Sequence, residues 1–124
     1  MDFKIDTKDT FTVISPIYAT INAKLADELQ NTCDQTRQNG SNNFIIDLSQ
    51  VTSAEKDGID GLIALHEHCY SNNESLVFTG TSPDLVKILK DEEADTLLNI
   101  APKMIEAVDI ISMEILERDL LGEE

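Results

Sequence analysis

The stretch FIIDLSQVTSAEKDGIDGLIALHEH, from Phe44 to His68, decides the fold. Phe44, Ile45, Ile46 and Leu48 form a short apolar run, the pattern of a strand covered on both faces in an open α/β sheet. Asp57 and Gly58 then open a helix in which Ile59, Leu62, Ile63, Leu65 and Cys69 return at three- and four-residue steps. A strand-to-helix junction of this kind turns free backbone N–H groups and the positive end of the helix dipole outward, which suits a carboxylate or phosphate. Function is therefore expected at the charged turn between strand and helix.

Upstream, Phe3 and Ile5, then Phe11 and Val13, alternate with polar residues around Thr7, Lys8, Asp9 and Thr10, which predicts a hairpin with one face buried. The segment SPIYAT, 15 to 20, reads as a loop. Ile21, Leu25, Leu29 and Cys33 recur every four residues and predict a helix that stops near Asn39 and Gly40. Downstream, SLVFT at 75 to 79 is a second buried strand. Ser82 and Pro83 offer an N-cap and a first-turn proline for a short helix through Lys90. Leu97, Leu98 and Ile100 predict a last strand, and Lys103 opens a long final helix. The expectation is an α/β chain, residues 1–124 as one domain: a small mixed β-sheet with helices packed against it and an extended C-terminal helix at about 103–121.

The 124 residues are enough to bury one ordinary core. No apolar run approaches the roughly 20 residues of a membrane span, and MDFKIDTKD lacks the charged start and apolar stretch of a signal peptide. A cytoplasmic protein is expected. Cys33 and Cys69 both fall on apolar helical stripes, so reduced core thiols are expected. A net charge of -15 repels phosphate backbones and anionic lipid, arguing against nucleic-acid and membrane partners. The same charge favours a basic protein partner, or serves solubility alone.

No GxxxxGK[ST], GxGxxG, HExxH or GxSxG motif is present, and nothing gathers the scattered Asp, Glu, His and Lys residues into a catalytic set. His66, Glu67, His68 and Cys69 suggest metal ligands, but residues two apart on a helix point in different directions, and too few share a face for zinc. Neither a metal nor a cofactor is expected. Asp47, ending a strand, resembles the phospho-acceptor of response-regulator receiver domains. The acidic pair those domains need after the first strand is missing, since Ile14, Ser15 and Pro16 stand there.

The segment DLSQV followed by EKDGIDGLIAL resembles the STAS domain of anti-sigma factor antagonists, in which a strand of the form "xxxDLxxV" leads into "DSSGLxxL" at a helix start. On that pattern Glu55 takes the Asp place, Lys56 the first Ser, Asp57 the second Ser, Gly58 the Gly and Ile59 the Leu. IAPKMIEAV is similar to the family's ending, and the resemblance runs from about Phe11 to Val108. It implies a STAS-like (SpoIIAA-like) fold and a non-enzymatic, bacterial protein-interaction module that regulates transcription by partner switching with an anti-sigma factor or serine kinase. The second Ser is the family's regulatory phosphorylation site, so Asp57 is expected to be either a fixed phosphomimic or simply the helix N-cap. The partner surface is expected at Glu55, Lys56, Gly58, Ile59, Gly61 and Leu62. SPIYAT supplies neither the Gly nor the acidic residue of the family's early "G-E-L-D" loop, which helps bind the kinase.

Thr52 and Ser53 are expected to close the strand-to-helix loop through hydrogen bonds. On the final helix, Met104, Val108, Ile111 and Ile115 form one stripe, and Ile110, Met113, Leu116, Leu120 and Leu121 widen it. That breadth implies either a helix crossing a groove, buried on both sides, or a contact with a partner or a second copy. The functional alternatives are a STAS adaptor subunit of a transporter-associated or stress-signalling complex, and, by fold analogy, small-ligand or nucleotide binding.

Overall fold

The computed structural model describes residues 2–122. In chain order the elements are β1 (Phe3–Thr7), β2 (Thr12–Pro16), β3 (Thr20–Ile21), α1 (Ala23–Gln38), β4 (Asn43–Asp47), β5 (Ser53–Ala54), α2 (Lys56–Ser71), β6 (Ser75–Thr79), α3 (Pro83–Asp91), β7 (Ile100–Ala101) and α4 (Met104–Gly122). The main sheet has the order β1-β2-β4-β6-β7, with β1 antiparallel to β2 and the other pairs parallel. It is the mixed sheet expected from the alternation of strand and helix signals.

The central strands β4 and β6 bury both faces, and this divides the core in two. Phe44, Ile46, Leu76 and Phe78 point to the side covered by α1, α2 and α3. Ile45 and Val77 point to the opposite side, where they meet Ala107 and Ile111 of α4. The even and odd positions of one strand thus serve different helices, the alternation that a pleated backbone imposes.

Side-chain caps start α1 and α3. The Asn22 side chain accepts from Leu25 N–H at 2.8 Å at the head of α1, and Ser82 from Leu85 N–H at 3.2 Å at the head of α3. On α2, Gly61 faces Ala26 of α1, and a Cβ at Gly61 would overlap the Ala26 methyl group. The two helices therefore approach closely near their starts. Farther along, the Arg37 guanidinium donates through Nε to both carboxylate oxygens of Glu74, at 2.9 and 2.7 Å. It also pairs with Asp34, lies 5.2 Å from the Phe44 ring centre and donates to Cys69 Sγ at 3.5 Å.

Three expectations change. Within SPIYAT, Ser15 and Pro16 extend β2, and Thr20 joins Ile21 in β3, which pairs with β5 in a separate two-stranded ladder. Ile21, expected on the first helix, is thus a buried strand residue. Leu97 and Leu98 lie in the turn after α3, and only Ile100 and Ala101 form β7, because pairing reaches only Phe78 and Thr79. On β1, Ile5 is 50% exposed: only Phe3 packs on the core, so the hairpin's expected buried face is incomplete.

The short β7 leaves the Leu76 end of β6 without a ladder partner there. Side chains close that edge. The Tyr70 hydroxyl sits 3.3 Å from the Leu76 carbonyl and 3.4 Å from its N–H, accepts from Asn99 Nδ2 at 2.7 Å and donates to Glu114 Oε1 at 2.7 Å. Burial, then the adjoining Glu114 carboxylate, pushes the Tyr70 phenol up to about 12.

Candidate functional site: the exposed start of α2

The junction after β4 is built from backbone pairing to the β2–β3 connection. Thr52 and Ser53 N–H groups both donate to the Ala19 carbonyl, at 2.8 and 3.0 Å, and Glu55 N–H donates to Ile21 at 2.8 Å. The Thr52 hydroxyl also donates to Ala19, and the Ser53 and Thr20 hydroxyls lie 2.8 Å apart. The loop-closing role expected of Thr52 and Ser53 is present in these contacts.

Glu55, not Asp57, occupies the N-cap of α2, and no side chain caps it. The N-cap reading of Asp57 is corrected by one turn geometry: α2 begins at Lys56, two residues from Glu55 to Asp57, so the Asp57 carboxylate belongs to the first helical turn. There a negative charge still interacts favourably with the helix dipole, by about 0.3–1 kcal/mol at a surface position.

Gly58 explains how the helix start is held. A Cβ at this position would run into the carbonyl of Ile21 and lie 2.8 Å from the Asn22 Cα, so α2 can rest on the β3 backbone only where a side chain is missing. Ile59 and Leu62 point inward at 1% and 0% exposure. The expected partner surface is therefore reduced: Gly58, Ile59 and Leu62 are interior residues that seat the helix, Gly61 is half-buried against α1, and Glu55, Lys56 and Asp57 face solvent. Exposed Asp60 joins them, and among the described residues Lys56 forms no ion pair.

One exposed apolar side chain has no counterpart in the sequence expectations. Ile17, in the β2–β3 connection, is 55% exposed. It borders a recess of about 370 Å³ lined also by Lys4, Ser15, Asp47, Ser49 and Gln50. The apolar side chain was concealed inside a segment read as loop, where no periodicity marks exposure. Asp47 is engaged locally: its Oδ1 accepts from Ser49 N–H at 3.1 Å, and Gly80, at φ 76°, lies so close that a Cβ there would stand 2.5 Å from that oxygen. This accounts for Asp47 as a turn residue.

The histidine and cysteine cluster is dispersed. Cys69 and Cys33 are buried; burial foremost pushes their thiols up to about 11 and about 12. His68 is exposed, while the His66 ring lies 4.6 Å from that of Tyr70 and burial holds its pKa below the ordinary value. Among the described residues no three His, Cys, Asp or Glu side chains are grouped to hold a metal ion.

A parallel-centred sheet, with three helices on one face and one on the other and an exposed charged helix start at the strand ends, defines a small α/β fold. The STAS domain family model matches residues 4–107, and the chain belongs to that family. No curated protein matches significantly. Among solved structures, the chain is similar to a Thermotoga maritima protein described as a candidate anti-sigma factor antagonist, at 16% identity and TM-score 0.76 over 89% of this chain and 94% of that one. It is similar to the anti-sigma factor antagonist SpoIIAA of Bacillus in its unphosphorylated form, at 11% identity and TM-score 0.67, covering 90% and 96% of the two chains. It also matches SLC26A9, at 14% identity and TM-score 0.66, over 90% of this chain and 21% of that longer one. These likenesses establish the STAS fold. Among the described residues no helix is long and apolar enough to cross a membrane.

Proposed function

We propose that this protein is a bacterial, cytoplasmic, non-enzymatic interaction module that regulates transcription by partner switching, in the manner of anti-sigma factor antagonists. Its partner is an anti-sigma factor or serine kinase-like protein docking on Glu55, Lys56, Asp57 and Asp60, with Ile17 supplying an apolar contact at the margin. What supports the reading is the exposed Asp57 in the first turn of α2, a residue that takes the second Ser place when EKDGIDGLIAL is laid over the family's pattern.

A phosphoserine brings about -1.5 to -2 charges at neutral pH, and an aspartate brings -1 without a kinase. Asp57 thus acts as a fixed phosphomimic that weakens docking; lacking a hydroxyl, it cannot be a serine-kinase substrate. Tagged protein purified gently from its own host, as the natural chain and as Asp57→Ser, tests this. Recovery of a serine kinase-like anti-sigma factor, enriched with Asp57→Ser, is the expected result. Equal recovery from both chains would remove the phosphomimic role.

The second reading is a STAS adaptor within a larger assembly, such as a transporter-associated or stress-signalling complex. It is favoured by the match to SLC26A9, where a domain of this fold makes up about a fifth of a longer chain. The same purification separates the two: an unchanging stoichiometric complex in both samples supports the adaptor, and exchange between partners supports switching.

A further inference from the structure

The side of α4 turned away from the sheet is apolar. At 100° per residue, Ala107, Ile111 and Ile115 face the strands, and Ile105, Met113, Leu116 and Leu120 gather on the opposite side. These four side chains are 69%, 61%, 59% and 58% exposed. Of the nine large apolar side chains exposed among the described residues, six belong to α4, so the exposure is a patch and not scatter. The expected alternative, a groove that buries both sides of the helix, does not occur.

Charge selects the occupant. Exposed Glu106, Asp109, Glu117 and Asp119 flank or interrupt the patch. The cation of this helix, Arg118, is turned away, donating to Ser75 Oγ and Asn43 Oδ1 at 2.8 Å each. A second copy would set these carboxylates against their equals, with a net charge of -15 on each chain. An anionic lipid surface meets the same repulsion. A helix with one apolar face and lysine or arginine along its margins satisfies both the patch and its rim.

We propose that the outer face of α4 docks a cationic amphipathic helix of another protein. The site lies across the sheet from α1, α2 and α3, and it does not depend on the role assigned to Asp57. Both surfaces can be occupied together, which makes the domain a bridge between two partners.

The test is calorimetric titration of the whole chain with a leucine–lysine amphipathic peptide as long as α4, beside a leucine–glutamate peptide of the same pattern. Binding of the lysine peptide alone is expected. Leu116→Ser with Leu120→Ser keeps the charge and weakens that binding by about tenfold or more, while circular dichroism verifies the fold. Undiminished binding by the double variant would overturn the proposal, because charge alone would then explain the affinity. Sedimentation of the natural chain as a dimer that the double variant disperses would overturn it in favour of a second copy. Asp57→Ser is expected to bind the peptide as the natural chain does, so this surface and the partner-switching reading succeed or fail separately.

Discussion

Gly58 stands where α2 meets the backbone of Ile21 and Asn22, and its missing side chain is a packing requirement. Gly58→Ala gains helix propensity, worth up to about 1 kcal/mol, but must move main-chain atoms and is expected to cost about 1–3 kcal/mol net. Gly61→Ala meets the Ala26 methyl group instead, which a small sliding of α1 relieves, so its cost is expected to be smaller. Urea midpoints of the two variants check the order; a Gly58→Ala chain as stable as the natural one would contradict the close seating of α2. In the sequence Gly58 was legible as a family position at a helix start. Its contact was not, because the surface it touches belongs to a strand nearly forty residues upstream in a segment that carries no strand pattern.

His66 adds a pH dependence at the same scale. Burial lowers its folded-state pKa below the ordinary 6.5, against a smaller raising influence from Glu114 and Glu67, and its Nδ1 is buried without a hydrogen-bond partner. The folded state then binds fewer protons than the unfolded chain, so this contribution is complete above pH 6.5 and is lost as pH falls through the folded value. Stability measured on either side of that window is expected to change less for His66→Gln than for the natural chain. Identical profiles would show that His66 contributes nothing to acid sensitivity.

Between elements, the Arg37–Glu74 pair ties α1 to the turn before β6 in a largely enclosed place, with 17% and 9% of the two side chains exposed. Arg37→Ala leaves a buried carboxylate without its partner and is expected to cost about 3–5 kcal/mol. Arg37→Met with Glu74→Leu is expected to recover most of that loss, since the charge is removed with its partner. Thermal melts of the single and double variants decide; equal losses would mean that the pair contributes by packing. The long elements α1, α2 and α4 were readable because apolar residues repeat over several turns, and β4 and β6 because a continuous apolar run marks a strand covered on both sides. The two-residue strands β3 and β5 have no period to read and exist only through a partner remote in sequence, and β7 was readable as a strand but not in its bounds, which its pairing with Phe78 and Thr79 sets. The breadth of the apolar surface on α4 was also readable, whereas the side left open depends on how many layers the fold stacks against it.

At the scale of the whole molecule, 24 acidic against 9 basic residues make self-repulsion a general cost of folding. Raising salt from about 10 mM to about 150 mM shortens the screening length from about 30 Å to about 8 Å, and the melting temperature is expected to rise. A fall would show that local ion pairs outweigh the general repulsion. The charge excess was plain in the composition; its uneven placement was not, since Arg37 and Arg118 are spent on internal contacts and leave the rims of α2 and α4 more acidic than the sum suggests.

Cys33 and Cys69 give the molecule an internal clock. Both have no solvent exposure, and with thiols pushed up to about 12 and about 11 they are held in the unreactive protonated form while the helices stay closed. At neutral pH the thiolate fraction is roughly one part in ten thousand or less, so an alkylating reagent modifies them only in molecules that have opened between α1 and α2. The rate of labelling therefore measures how often α1 and α2 part at their C-terminal halves, the ends away from Asp57, without a probe having to be introduced.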